Sequence, residues 1–133
     1  MNTTTTTPTA APAPARRVGL ALTGVTVAFL LFDTAIKLAA ERHALEGSAD
    51  IGIGADLVRT VGAIEAACLG LYLVPRTAPL GAVLLTGYLG GAVALHLRLG
   101  HPLLSHTLFP VFVGALCWAG LALRDPRARA LFR

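Results

Sequence analysis

Charged side chains are scarce in this sequence. Of 133 residues only 14% are Asp, Glu, Lys or Arg, against 55% hydrophobic, and the mean hydropathy is +0.70. A water-soluble domain of this length needs a charged surface, so the composition argues against that class and makes a membrane the expected environment. Cysteine is nearly missing as well. Cys68 and Cys117 form no C-x-x-C pair, which weakens a thiol–disulfide exchange mechanism and favours small apolar core residues, though similar depths on two helices would let them approach. The four histidines, His43, His96, His101 and His106, lack the spacing of a specific ligand set, so no metal is expected. Phosphate loop, nucleophile elbow and dinucleotide fingerprint are all absent; no cofactor motif and no nucleic-acid partner is indicated.

What the sequence has in abundance is long apolar runs. Residues 1–17, "MNTTTTTPTAAPAPARR", are expected to form a disordered tail, because Thr, Pro and Ala without apolar periodicity bury too little surface to offset the entropy of ordering. A cleavable signal peptide competes with this reading, but the apolar run that follows Arg16 and Arg17 is long enough to span a bilayer, and a cleavable segment is usually shorter. Within residues 18–123, segments 18–38, 57–74, 80–97 and 106–123 each approach the roughly 20 residues that cross the hydrocarbon core. In lipid the backbone must satisfy its own hydrogen bonds, so these are expected to be helices, giving an all-α, transmembrane four-helix bundle. The breaks between them, "HALEGSADIGIGAD", "VPRTAP" and "RLGHPLLSH", carry Gly, Pro and a candidate Ser105 cap, and Pro110 can kink the start of the fourth helix. Residues 124–133 form a basic tail.

Orientation follows from the basic residues. Arg16 and Arg17 precede helix one, Arg76 lies in the second turn, and Arg124, Arg127, Arg129 and Arg133 follow helix four, whereas the first loop carries Glu41, Glu46, Asp50 and Asp56 against Arg42. The positive-inside rule makes both the N and C termini cytoplasmic and the first loop external. Asp33 then lies roughly 9 Å, and Glu65 roughly 12 Å, below the outer surface at 1.5 Å per residue. Arg59, His96, Arg98 and His106 lie on the same side, so the ionisable groups gather in the outer half of the membrane. The basic tail serves as a topology anchor, with anionic headgroups as its alternative partner.

Helical phase sharpens that grouping. Thr26, Leu30, Asp33, Lys37 and Glu41 share one face of helix one, Gly62, Glu65, Cys68 and Tyr72 one face of helix two, and His106, Phe109, Val113 and Cys117 one face of helix four. In helix three, Gly87 with Gly91 and Gly90 with Ala94 are spaced as close-packing pairs. Asp33 and Lys37 can neutralise each other at i,i+4. Glu65 has no basic residue at i+3 or i+4, so its partner must come from another helix or from water. These residues suggest a polar cavity in which Glu65 acts as acid or base, His96 or His106 relays protons, and Asp33, Lys37 and Tyr72 orient a ligand.

Three stretches carry a resemblance: "FLLFDTAIKL", "GAIEAACLGLYLVPRTAPLGAVLLTGYLGGAVALHLRLGHPLLSHTLFP" and "WAGLALRDPRARAL". They resemble the DoxX-like group of small bacterial four-helix membrane proteins. That group takes its name from a subunit of a thiosulfate:quinone oxidoreductase, and other members are linked to quinone or thiol stress. The resemblance implies a bacterial cytoplasmic (inner) membrane protein with a redox association, a quinone or other lipophilic ligand, and a redox partner protein; it carries no catalytic residues onto these positions. Two function classes follow: a site for a lipophilic molecule, as a redox-associated subunit or a cofactor-free proton-shuttling enzyme, or a non-catalytic scaffold whose third helix serves self-association.

Overall fold

A computed structural model of the chain describes residues 10–39, 46, 52 and 54–133. All regular elements among these residues are helical, with no strand. They are α1 (Ala13–Ala39), α2 (Ala55–Leu73), α3 (Ala78–Arg98), a π-helical turn (Leu103–Thr107), α4 (Phe109–Arg124) and a short α5 (Pro126–Ala130).

The prolines explain several boundaries. Pro79, Pro110 and Pro126 each fall in a first helical turn, where the missing N–H has no helical acceptor to lose. Pro14 does the same for α1, which begins at Ala13 and takes in Arg16 and Arg17, five residues before the expected start. The fourth helix is divided differently from the expected single run at 106–123: His106 belongs to the π-helical turn, and the α-helix proper starts at Phe109. Residues 1–9 of the expected tail, and Glu41, Arg42, His43 and Asp50 of the first loop, lie outside the described residues.

Among the described residues three helical stretches are long and apolar enough to cross a membrane: α1, α3 and Leu103–Arg124. The remaining long helix, α2, carries Asp56, Arg59 and Glu65 within 19 residues. α1 packs on α2 and α4, and α3 packs on the same two helices, so the four form a cycle of neighbours. Fully buried Leu30, Leu69, Leu85 and Leu121 fill the interior, with Tyr72 and Glu65 among them. Val25, Phe32, Leu104 and Phe112 point outward and are exposed, giving an apolar exterior suited to acyl chains.

Glycine permits the closest approaches, at positions other than those expected. A Cβ at Gly120 would lie 2.7 Å from Thr23 Oγ1 and 3.0 Å from Thr23 N, and one at Gly19 would lie 2.7 Å from Leu123 Cβ, so α1 and α4 meet backbone to backbone there. The pairs expected in helix three do not pack within the chain: a Cβ at Gly87, Gly90 or Gly91 would meet nothing within 4 Å, and Ala94 is exposed. The reason is phase. α3 turns Ala78, Gly81, Ala82, Leu85 and Leu89 inward, which leaves the glycine stripe outside.

The basic tail is docked rather than free. Asp125 caps α5 by accepting from Arg127 N–H at 2.9 Å; Arg127 Nη2 donates to Pro75 O at 2.6 Å, Arg129 Nε donates to Ala122 O at 3.1 Å, and Ala128 is buried.

Candidate functional site

Lys37 is the hub of a polar cluster that links three helices. Its stem lies against Gly62 of α2, where a Cβ would come within 2.8 Å of Lys37 Cβ, so only a glycine lets α1 and α2 approach at this level. One turn further along α2, Glu65 turns to the same face. Lys37 Nζ donates to Glu65 Oε2 at 2.9 Å, to Tyr88 OH of α3 at 2.7 Å, and to Asp33 Oδ2 one turn back on α1. Tyr88 OH in turn donates to Glu65 Oε2 at 3.0 Å. The three donors of the ammonium group are thus matched by three side-chain acceptors.

Exposure is graded across the cluster. Glu65 is 0% exposed, while Lys37 and Asp33 are 21% and 28% exposed, so the cluster reaches from the interior to the edge of the bundle. Glu65 Oε1 is buried and has no hydrogen-bond partner among the described residues. With both carboxyls ionised, Asp33, Glu65 and Lys37 sum to a net charge of −1, a poor state for a low-dielectric interior. The cluster therefore has capacity for one proton or one hydrogen-bond donor, and Oε1 is the acceptor left open for it. Proton exchange between carboxyl, phenol and amine, or anchoring of a ligand hydroxyl, is the chemistry such an arrangement can perform.

The expected residues separate into three places. Asp33, Lys37 and Glu65 come together as the helical phase indicated, and Glu65 does find its partners on other helices. Tyr72 does not join them. It shares the Glu65 face but lies two turns away, about 10 Å along the axis, and its OH donates to Cys117 O at 2.8 Å while the Arg124 guanidinium sits 5.1 Å from its ring centre. Tyr72 is a buried link between α2 and α4, and the phenol that joins the cluster is that of Tyr88. His96 and His106 form a separate group with His101 at the α3–α4 connection, and none of the three bonds to the Glu65 cluster. Tyr88 had one sequence signal, a phenol in the middle of an apolar helix, whose OH needs a partner.

Cys68 and Cys117 are both free and buried, in keeping with small core residues. Among the described residues no group of three His, Cys, Asp or Glu side chains is arranged round a metal position. A groove of about 370 Å³ runs between α3 and α4, lined by apolar side chains with Thr86 and Trp118, whose Nε1 donates to Thr86 Oγ1 at 2.8 Å. It is separate from the polar cavity expected round Glu65.

The sequence profile of the DoxX-like family matches residues 21–120, three-quarters of the chain and all four residues of the Lys37 cluster. No curated protein and no solved structure matches it.

Proposed function

The chain belongs to the DoxX-like family, and from that premise we propose that it is a multi-pass membrane protein whose Lys37 cluster binds the polar head of a small lipophilic molecule of the quinone or quinol class. The single observation that carries the reading is the fully buried Glu65, paired through Oε2 to Lys37 and Tyr88 and open at Oε1. A hydroxyl donor reaching Oε1 would complete the carboxylate, and the exposed edge at Asp33 and Lys37 offers its path. Lys37 and Tyr88 could then pass a proton to or from that group as part of a redox-associated subunit or a cofactor-free isomerisation. Electrons would come from a partner protein.

The membrane arrangement belongs to the same proposal: four crossings, both termini cytoplasmic, in the bacterial inner membrane. It is supported by the placement of the arginines. Gly19 at the start of α1 abuts the end of α4, and Arg127 bonds the α2–α3 turn, so Arg16, Arg17, Arg76, Arg124 and Arg127 share one end of the helices. Native mass spectrometry of protein released gently from its own membrane tests the reading. A stoichiometric lipophilic adduct, lost in Glu65→Gln with helicity retained, is expected; a chain that never carries one contradicts it.

A second reading has an observation of its own. Because all three Lys37 donors are used inside the chain, the cluster can serve as a clamp that fixes the packing of a non-catalytic scaffold, alone or as a homo-oligomer. That reading expects no adduct, and a Glu65→Gln substitution that alters assembly or has no effect.

A further inference from the structure

The α3–α4 connection gathers three imidazoles that the proposed ligand site does not use, and the backbone explains why they meet. Gly100, at φ +67°, closes α3 with two bonds, Gly100 N–H to Leu97 O and His101 N–H to His96 O, both 3.1 Å. This paired pattern sets the residue after the glycine beside the residue five positions earlier, which puts His101 against His96. Pro102 then turns the chain, and the π-helical turn, with His106 N–H on Pro102 O at 3.2 Å, brings the third ring back over the first two.

The ring centres are 5.1 Å apart for His96 and His101, 5.4 Å for His101 and His106, and 5.8 Å for His96 and His106. Three imidazoles sharing one tetrahedral ion at Zn–N distances of about 2.0–2.1 Å would have ring centres about 5.2 Å apart. The observed spacing runs from just under that value to slightly above it. In the present side-chain arrangement His96 and His101 face each other Nδ1 to Nδ1 at 2.8 Å, and His106 Nδ1 lies 2.7 Å from Ser105 Oγ, so the nitrogens do not yet converge on one point. A shared ion would require the His96 and His101 rings to turn about their side-chain bonds until both Nδ1 atoms face it. His106 can meet them through Nε2, with Ser105 holding its other nitrogen as an orienting partner.

We propose that His96, His101 and His106 form a three-histidine site for a divalent transition-metal ion of the zinc type, with the fourth position open to water or another ligand. Three neutral nitrogen ligands suit zinc and its transition-metal neighbours and disfavour calcium and magnesium, which take oxygen. His106 is exposed and the other two rings are half-buried, so the ion can enter from the aqueous face. The site stands apart from the Lys37 cluster, and neither depends on the other.

The test uses full-length protein in detergent, purified with a tag that contains no histidine. Zn²⁺ is titrated by calorimetry and Co²⁺ by its visible absorption. One ion per chain and a tetrahedral Co²⁺ spectrum are expected, with affinity falling by at least about tenfold in each of His96→Asn, His101→Asn and His106→Asn. Ser105→Ala, which keeps every ligand, is expected to weaken binding by about tenfold. The helical circular dichroism of each variant is recorded so that loss of fold is not mistaken for loss of a ligand. No one-site binding, or wild-type affinity in any of the four folded variants, would overturn the assignment.

Discussion

The Lys37–Glu65 pair should show a large and non-additive energy when it is taken apart. In Lys37→Met the ammonium is lost, and Glu65, fully buried, keeps only Tyr88 as a donor. Removing one partner of a buried ion pair costs about 3–5 kcal/mol, because the other charge stays uncompensated in a medium that solvates it poorly. Lys37 is about one-fifth exposed, and water can reach that side of the cluster, so the lower end of the range applies. Glu65→Gln leaves Lys37 with Asp33 and Tyr88 and should cost less, about 1–3 kcal/mol for the lost charged hydrogen bond. The double variant has neither buried carboxylate nor ammonium at this contact. Its cost should fall short of the sum by about 2 kcal/mol, since the main penalty in Lys37→Met is the stranded Glu65 charge. Reversible unfolding of all four proteins in mixed micelles with increasing dodecyl sulfate gives the cycle. Additivity within about 0.5 kcal/mol would refute the reasoning, for it would mean that the two side chains do not share one buried interaction.

Other substitutions follow from the same contacts. Gly62→Ala places a methyl group 2.8 Å from Lys37 Cβ and should destabilise by about 1–3 kcal/mol while displacing the hub of the cluster, measured by the same unfolding assay. Gly120→Ala, pressed against the Thr23 backbone, should cost at least as much yet leave ligand retention unchanged in folded protein. Gly87→Ala and Gly91→Ala meet nothing within 4 Å and should be neutral or stabilising by up to about 1 kcal/mol, through helix propensity; a loss would show that this stripe packs against another molecule. Tyr88→Phe should lower adduct occupancy in native mass spectra, whereas Tyr72→Phe should cost about 1 kcal/mol of stability with occupancy unchanged.

Much of the cluster was legible from helical arithmetic. Asp33 and Lys37 are i,i+4 partners on α1, and Gly62, Glu65, Cys68 and Tyr72 were readable as one face of α2, all of which is buried. Membrane charge logic also required that Glu65 find a partner off its own helix. Tyr72 was grouped by phase alone, although its seven-residue spacing from Glu65 already implies about 10 Å along the axis. Two features were beyond reach, each for a physical reason. Tyr88 lies ten residues from the end of α3, about 15 Å along its axis, and which part of α1 faces it depends on how the helices dock. The glycine spacing in α3 satisfies a packing pattern without naming a partner, while the working close contacts, at Gly19, Gly62, Gly81 and Gly120, are single glycines set by pairwise docking. The histidine group was hidden for another reason. It depends on a positive-φ glycine and a π-helical turn, which reverse the chain between residues whose linear spacing resembles no ligand motif.

The central claim is that a lipophilic molecule places its polar head at Glu65. Labelling native membranes with a photoreactive quinone analogue and mapping the modified residues by peptide sequencing tests it most directly. The account predicts label concentrated on α1 near Lys37, α2 near Glu65 and α3 near Tyr88, abolished by excess unlabelled quinone and by Glu65→Gln. Label spread over outward residues such as Phe32 and Phe112, indifferent to both, would contradict it.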